Sequence, residues 1–393
     1  MILAVAVVFL SSFAVKVMAQ QFTLQMLSSA AYPMARCLDG TMGGYYYSPG
    51  IGADAGNIIL HTQGGGWCIS DADCAQRAKT PLGSSSSWGP TGCGPNSKSP
   101  VCTSDGGASG MLSSDIAKNP NLANWTKVFV NYCDGSSYAS DVAEPVVIGS
   151  QTIYYRGAYI LNAVYQDLFI KHGLGEAKTL VVAGCSAGGL AVYLHVDSVC
   201  AKVKGFNPNI RCVGAPGAGF FMGEEKPFSG IGYLANYQWV YTRMNVSTHT
   251  NAACLAVNVA APWKCYLAPE LLPYISTPLF ISNSLTDAWQ ANNIMGVGCR
   301  AGHAGGCSAA QFAYMAQFRT DMITALAPVT KVNSLHGGFL QGCFVHVVED
   351  MDSWMTVIIN GASQAETFWR WYTNATSGSL QLGTFPPWSN PTC

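Results

Sequence analysis

Gly184-Cys185-Ser186-Ala187-Gly188 sets a serine between two glycines, directly after a short valine-rich run at 179–183. A serine hydroxyl becomes a useful nucleophile only when an imidazole takes its proton, and the imidazole needs a carboxylate to fix its tautomer. The chemistry within reach is therefore acyl transfer through a covalent acyl-serine. Glycines two positions either side are what a tight strand-to-helix turn requires, because side chains there would strike neighbouring backbone. A small-residue helix entry packed closely on a strand is the plain alternative for the same residues.

Five histidines follow Ser186: His195, His249, His303, His336 and His346. His195 falls within the helix expected after the serine, and His249 and His303 fall in loops among cysteines. His336 and His346 both follow residues 330–335, expected as a late strand, which is where the base belongs; position does not separate the two. Asp287 comes directly after the strand expected at 278–282 and is the best-placed carboxylate. Asp321 lies in a helical stretch, and Asp350 and Asp352 come after both candidate bases. Serine, then acid, then histidine is the order of α/β hydrolases.

Acyl transfer also needs backbone donors for a tetrahedral oxyanion. Ala187 N–H, after the serine, is one candidate. Gly64-Gly65-Gly66-Trp67, after the apolar run 57–61, offers the other, with a flexible surface turn as its plain reading. Neither G-x-x-x-x-G-K-[ST] nor G-x-G-x-x-G occurs, which argues against a phosphate cradle.

The elements that must position these residues read as alternating strands and helices. Residues 57–61, 127–131, 179–183 and 278–282 are short apolar runs. Residues 155–172 carry Ala158, Leu161, Val164, Tyr165 and Leu168 on one helical face, and 190–199 suit a helix. That alternation predicts an α/β fold with a mostly parallel central sheet flanked by helices, its working loops at the carboxyl ends of the strands. The chain has 393 residues, 49% hydrophobic and 10% charged, with net charge −1 and no linker composition. A single domain over 20–393 is expected, with no nucleic-acid or anionic-membrane partner.

Residues 1–15 are apolar and Val17-Met18-Ala19 has small residues at the −3 and −1 positions, so 1–19 read as a signal peptide. A membrane anchor is disfavoured, because Lys16 interrupts a run shorter than the ~20 residues a span requires. Fifteen cysteines and sequons at Asn124, Asn245 and Asn374 agree with secretion, whereas Asn390 is followed by proline. Short-loop disulfides are expected for Cys68 with Cys74, Cys93 with Cys102, Cys200 with Cys212, Cys254 with Cys265, and Cys299 with Cys307. The odd cysteine is assigned to Cys185, too confined beside the nucleophile to bridge. No C-x-x-C occurs and only His303 near Cys299 and Cys307 clusters Cys with His, so no metal is expected.

Together the segments Gln63-Gly-Gly-Gly-Trp-Cys68, Tyr132-Cys-Asp-Gly-Ser-Ser137, Tyr155-Arg-Gly-Ala158, Gly184-Cys-Ser-Ala-Gly-Gly-Leu-Ala191, Asp287-Ala-Trp-Gln290 and Gly342-Cys-Phe-Val-His346 resemble plant-type pectin acetylesterases, relatives of the Notum carboxylesterases. The resemblance implies a triad of Ser186, Asp287 and His346, which decides against His336. It also implies oxyanion donors among Gly65, Gly66 and Trp67 together with Ala187, and a Cys37–Cys133 bridge. Family members often carry Cys or Ser just after the histidine, where Val347 stands here; Cys343 is therefore paired with Cys393. The implied activity is removal of O-acetyl groups from pectin or a similar cell-wall polysaccharide, without cofactor, by a secreted monomer acting outside the cell, at a cell wall. Two rivals are Notum-like removal of a fatty acyl group from a protein, which needs a deep apolar acyl pocket, and an inactive carbohydrate-binding homologue using exposed aromatics. Gly-Gly-Gly-Trp-Cys and the cysteine before Ser186 lean toward the plant-type branch.

Overall fold

Strands buried on both faces read as continuous apolar runs, and Ile58–Ile59–Leu60, Val128–Phe129–Val130 and Leu180–Val181–Val182 are each fully buried. The computed structural model describes residues 21–90, 108–223, 233–299, 306–330, 334–373, 380–383 and 389–393. The segment 1–19, Cys93 and Cys102, His303 and the Asn374 sequon lie outside the described residues.

In chain order the strands are β1 (Thr23–Met26), β2 (Gly44–Ser48), β3 (Asn57–Thr62), β4 (Thr126–Val130), the hairpin β5 (Val146–Ile148) and β6 (Gln151–Ile153), β7 (Thr179–Cys185), β8 (Arg211–Gly217), β9 (Phe280–Ser284), β10 (Gly337–Gln341), the short pair β11 (Ile358–Ile359) and β12 (Ala362–Ser363), and β13 (Leu380–Leu382). One nine-stranded sheet runs β1-β2-β4-β3-β7-β8-β9-β10-β13. From β4 through β13 neighbours are parallel, while β2 pairs antiparallel with β1 and β4. The principal helices early in the chain are α1 (Asp71–Arg77), α2 (Gly157–Lys171), α3 (Ala187–Phe206) and α4 (Tyr233–Arg243).

Two apolar layers cover the sheet. One joins Leu60 and Val182 to Ile160, Leu161 and Leu190 of α2 and α3. The other joins Ile59, Val181 and Phe280 to Trp354, Phe368 and Trp371 from the later helices. This is the α/β-hydrolase-like architecture that the alternation of strands and helices anticipates.

One expectation fails. Thr330 ends a short helix, Ala327–Thr330, residues 331–333 lie outside the described residues, and the late strand is β10, beginning at Gly337. Glycine is a weak strand former, which hides the strand in the sequence. It is required all the same, because a Cβ on Gly338 would stand 2.9 Å from the Ile281 carbonyl of β9. Two further strands also escape the sequence pattern: the tyrosine-rich β2, and β8, whose Gly214 and Pro216 interrupt its apolar pattern.

Among the described residues six disulfides join Cys37–Cys133, Cys68–Cys74, Cys200–Cys212, Cys254–Cys265, Cys299–Cys307 and Cys343–Cys393. Cys185 is unpaired. Among the described residues no helix is long and apolar enough to cross a membrane. The Cys343–Cys393 bridge spans a separation of 50 residues and fixes the chain just after β10. Replacing Cys393 by serine is expected to remove about 2–4 kcal/mol of stability, read as a lower denaturant midpoint under oxidising conditions; an unchanged midpoint would show the bridge to be redundant.

Candidate active site

Strand β7 turns into α3 at Ser186, whose backbone sits at φ 56°, ψ −124°. Three contacts explain how so tight a turn is held. Ser186 N–H donates to the Gly217 carbonyl at 2.9 Å. A Cβ at Gly184 would lie 2.2 Å from Thr62 Oγ1, and one at Gly188 2.0 Å from the Thr62 carbonyl. Thr62 Oγ1 itself lies 3.0 Å from the Ala183 carbonyl and 2.9 Å from that of Gly188, closing the turn against β3. Ser186 is left half-exposed at the carboxyl edge of the sheet.

His346 arrives on the loop after β10, and Asp287 on the loop after β9. His346 Nε2 lies 2.8 Å from Ser186 Oγ and Nδ1 lies 2.8 Å from Asp287 Oδ2. Asp287 is fully buried, and its second oxygen accepts from Gln290 N–H at 2.8 Å as the cap of helix Ala288–Asn293. Ala288 N–H donates to the Val345 carbonyl at 3.1 Å, stitching the two loops together.

The glycine loop leaves β3 beside this relay. Gly65 and Gly66 have φ of 144° and 66°, in the region that favours glycine. A Cβ on Gly64 would meet the Cys185 carbonyl at 2.4 Å, so the loop lies directly against the serine turn. The segment Tyr132–Ser137 pins it: Tyr132 Oη donates to the Gly66 carbonyl and Trp67 Nε1 to Ser137 Oγ, each at 2.8 Å. Cys68 N–H reaches the Gly135 carbonyl at 3.3 Å. As first residue of α3, Ala187 has an N–H with no intrahelical acceptor, and the positive end of the helix dipole faces the serine. The glycine loop at Gly64 and the first turn of α3 at Ala187 both adjoin the serine.

Asp134 holds that pinning segment in shape, its Oδ2 accepting from the N–H groups of Ser136 and Tyr138 at 3.0 and 3.1 Å. Burial nevertheless pushes its carboxyl up to about 6, against the hydrogen bonds that favour the charged form.

The other sequence candidates go elsewhere. His195 is buried in α3 with Nε2 at 3.3 Å from the Ser137 carbonyl. His249 faces Asp141 at 3.1 Å. His336 Nδ1 accepts from Leu279 N–H at 3.1 Å, at the amino end of β9 and so at the opposite edge of the sheet from Ser186. Asp321 accepts from Gln317 within its helix, and Asp352 pairs with Lys118 at 3.0 Å. Asp350 does not join the relay; it meets His61. What sequence reading overlooks is an aromatic wall beside the relay. Trp289 stacks on His346 with centroids 5.9 Å apart, Phe221 stands 6.1 Å away, and Trp67 packs against Phe221, Tyr237 and Trp289 at 4.9, 5.2 and 5.8 Å. Asp287-Ala-Trp-Gln290 contains Trp289, so the acid's own motif holds the missed signal.

A serine on a strained strand-to-helix turn, faced by a histidine and a buried aspartate carried on the next parallel strands, is the arrangement of the α/β hydrolases, and the chain is of that class. Within it the chain belongs to the pectinacetylesterase family, whose model matches residues 15–393. It is 33% identical to pectin acetylesterase 7 of Arabidopsis thaliana over 81% of this chain and 78% of that protein. With palmitoleoyl-protein carboxylesterase notum1a of Danio rerio it shares 27% identity over 91% of this chain and 70% of the other. The fold is shared with the solved structure of the Wnt deacylase Notum from Drosophila at a TM-score of 0.79 and 23% identity, covering 95% of this chain and 99% of that one.

Two outcomes follow from this geometry. Gly188→Ala drives a methyl into the Thr62 carbonyl, and secreted yield or serine labelling by a fluorophosphonate is expected to collapse; normal labelling would mean that the turn has room. Asp134 carries a native pKa raised from 3.8 to about 6, so its contribution to stability is present at low pH and lost as pH rises through about 6. The melting temperature of Asp134→Asn, which cannot ionise, is therefore expected to improve relative to the parent between about pH 4 and pH 7. A constant difference across that window would refute the assignment.

Proposed function

We propose that this protein is a secreted serine esterase that removes O-acetyl groups from pectin or a similar cell-wall polysaccharide. The observation that carries the proposal is His346 bridging Ser186 and Asp287 at 2.8 Å on either side, in a chain of the pectinacetylesterase family. Ser186 Oγ attacks the acetyl carbonyl carbon as His346 Nε2 takes its proton. The carbonyl oxygen becomes an oxyanion facing Ala187 N–H and the N–H groups of Gly65, Gly66 or Trp67. As the tetrahedral intermediate collapses, the bond from the acyl carbon to the sugar oxygen breaks and His346 returns the proton to that oxygen. Water then attacks the acetyl-serine by the same route, releasing acetate. Asp287 holds the tautomer in which Nδ1 carries a proton and stabilises the imidazolium. These steps involve only groups of this chain and water. The six disulfides support secretion, and we include a monomeric state and glycans at Asn124 and Asn245 in the proposal.

The aromatic wall favours a small acyl group. Trp67, Phe221, Tyr233, Tyr237 and Trp289 pack edge to face against one another beside His346 and border the space next to the nucleophile. A two-carbon acyl group asks for no deep pocket.

The test is acetate release from acetylated pectin and acetylated xylan, beside a fatty-acylated peptide. Turnover of an acetylated polysaccharide is expected, falling to background in Ser186→Ala and by about 10⁴-fold in Asp287→Asn. Turnover of the peptide alone would move the protein to the lipid-removing reading, and persistence in Ser186→Ala would reject the nucleophile. Each buried methylene contributes about 0.8 kcal/mol. Opening the wall by Trp289→Ala is accordingly expected to raise butyrate-over-acetate preference on aryl esters by about tenfold; an unaltered preference would place the acyl group elsewhere.

A further inference from the structure

The three segments that meet at the serine are joined a second time, behind it. Cys185 immediately precedes Ser186, His61 lies on β3 just before the glycine loop, and Asp350 lies four residues beyond His346. His61 Nε2 stands 2.8 Å from Asp350 Oδ1, a close polar contact that does not align as a hydrogen bond. The Cys185 thiol adjoins the same carboxylate, and one donor atom from each of the three residues falls within 4.8 Å of the others. His61 is wholly buried with its ring stacked on Phe129, centroids 5.6 Å apart, so it cannot follow a moving partner. Desolvation opposes charge on Asp350, but His61 and the thiol outweigh it and hold the carboxyl below its usual range.

The loop that carries His346 is tied by hydrogen bonds to its carbonyls, from Ser284 and Thr286 upstream and from Ser109 and Ser353 downstream. Residues 342–352 form no helix or strand. Val347 stands directly after His346, so no disulfide can form there. The bridge at Cys343 lies upstream of the histidine, and the Val345 carbonyl receives Ala288 N–H at 3.1 Å. Downstream, Met111 N–H binds the Glu349 carbonyl at 2.9 Å, and Asp350 closes the span against β3 and β7. Those bonds hold the backbone; the Asp350 side chain is what ties it to the strands that carry the serine turn and the glycine loop.

We propose that Asp350 is a positioning residue whose carboxylate clamps the His346 loop to the serine turn through Cys185 and to the glycine-loop strand through His61. Nitrogen, sulfur and oxygen donors this close are also the donor types of a zinc site. A ligating imidazole normally passes its other ring nitrogen to an acceptor, however, and His61 Nδ1 is buried with no partner among the described residues. The clamp accounts for the trio without an ion. It rests on the esterase reading only in taking Ser186 and His346 as the reacting pair.

The experiment compares Asp350→Ala, Asp350→Asn and Cys185→Ala with the parent on an aryl acetate, with turnover expressed per serine titrated by a fluorophosphonate and melting temperature followed in parallel. A displacement of about 1 Å costs roughly 100-fold in rate. Asp350→Ala is accordingly expected to lose 10- to 100-fold in kcat per titrated serine with KM within twofold, and its serine is expected to label more slowly. Asp350→Asn, which keeps the shape and an acceptor for His61, is expected to recover part of the loss. Cys185→Ala, which removes one arm, is expected to fall between Asp350→Asn and the parent. Unchanged kcat per titrated serine in Asp350→Ala and Asp350→Asn would overturn the clamp, and so would losses that only track the fraction of folded, titratable protein. Labelling rates do not depend on the natural substrate, so a parent that labels at Ser186 yet ignores acetylated polysaccharides would count against the proposed function and leave the clamp standing.

Discussion

Ser186 keeps a positive φ, a conformation that costs a residue with a side chain of the order of 1–3 kcal/mol, and its surroundings fit no alternative. Gly184 and Gly188 have no room for a Cβ, Thr62 ties both sides of the turn, and the Gly217 carbonyl takes the serine N–H. These partners come from β3, β7 and β8, three neighbours in the sheet, so the strain is supported by the middle strands of a parallel core. The positive end of α3 and the Ala187 N–H point at the serine because the turn is this tight. The hydroxyl, the helix end and the glycine loop converge through one backbone constraint.

Much of this was legible in the residues, for physical reasons. Buried parallel strands must be apolar on both faces, so 57–61 and 179–183 stood out, and a glycine–serine–glycine turn after such a run has few other uses. The order of serine, acid and histidine came from the chain order of α/β hydrolases, and their place on loops from the rule that working loops leave the carboxyl ends. The choice between His336 and His346 did not follow, and the sheet explains why. They flank the five residues of β10, which separates them to opposite edges, but the two glycines that open that strand disguised it. A strand predicted at 330–335 put both histidines at its carboxyl end; the observed strand leaves only His346 there.

The rest depends on contacts between segments distant in sequence. Cysteines that close short loops could be paired by spacing, whereas Cys37–Cys133, 96 residues apart, was reached only through resemblance. Nothing in the local sequence announces that Asp350 meets His61, or that Phe221 and Trp67 share a wall with Trp289. Asp350 was weighed as a carboxylate for the histidine and set aside for its late position. It does leave the relay to Asp287, yet its own partners lie one layer behind the serine.

The Cys343–Cys393 bridge gives this architecture a temporal order. A chain entering an oxidising lumen from its amino end exposes Ser186 first, then Asp287, then His346. The loop that carries His346 cannot take its bridged form until residue 393 has followed. Maturation of the constellation is thereby tied to the passage of the last cysteine, and a nascent chain that already holds the nucleophile still lacks a fully anchored base.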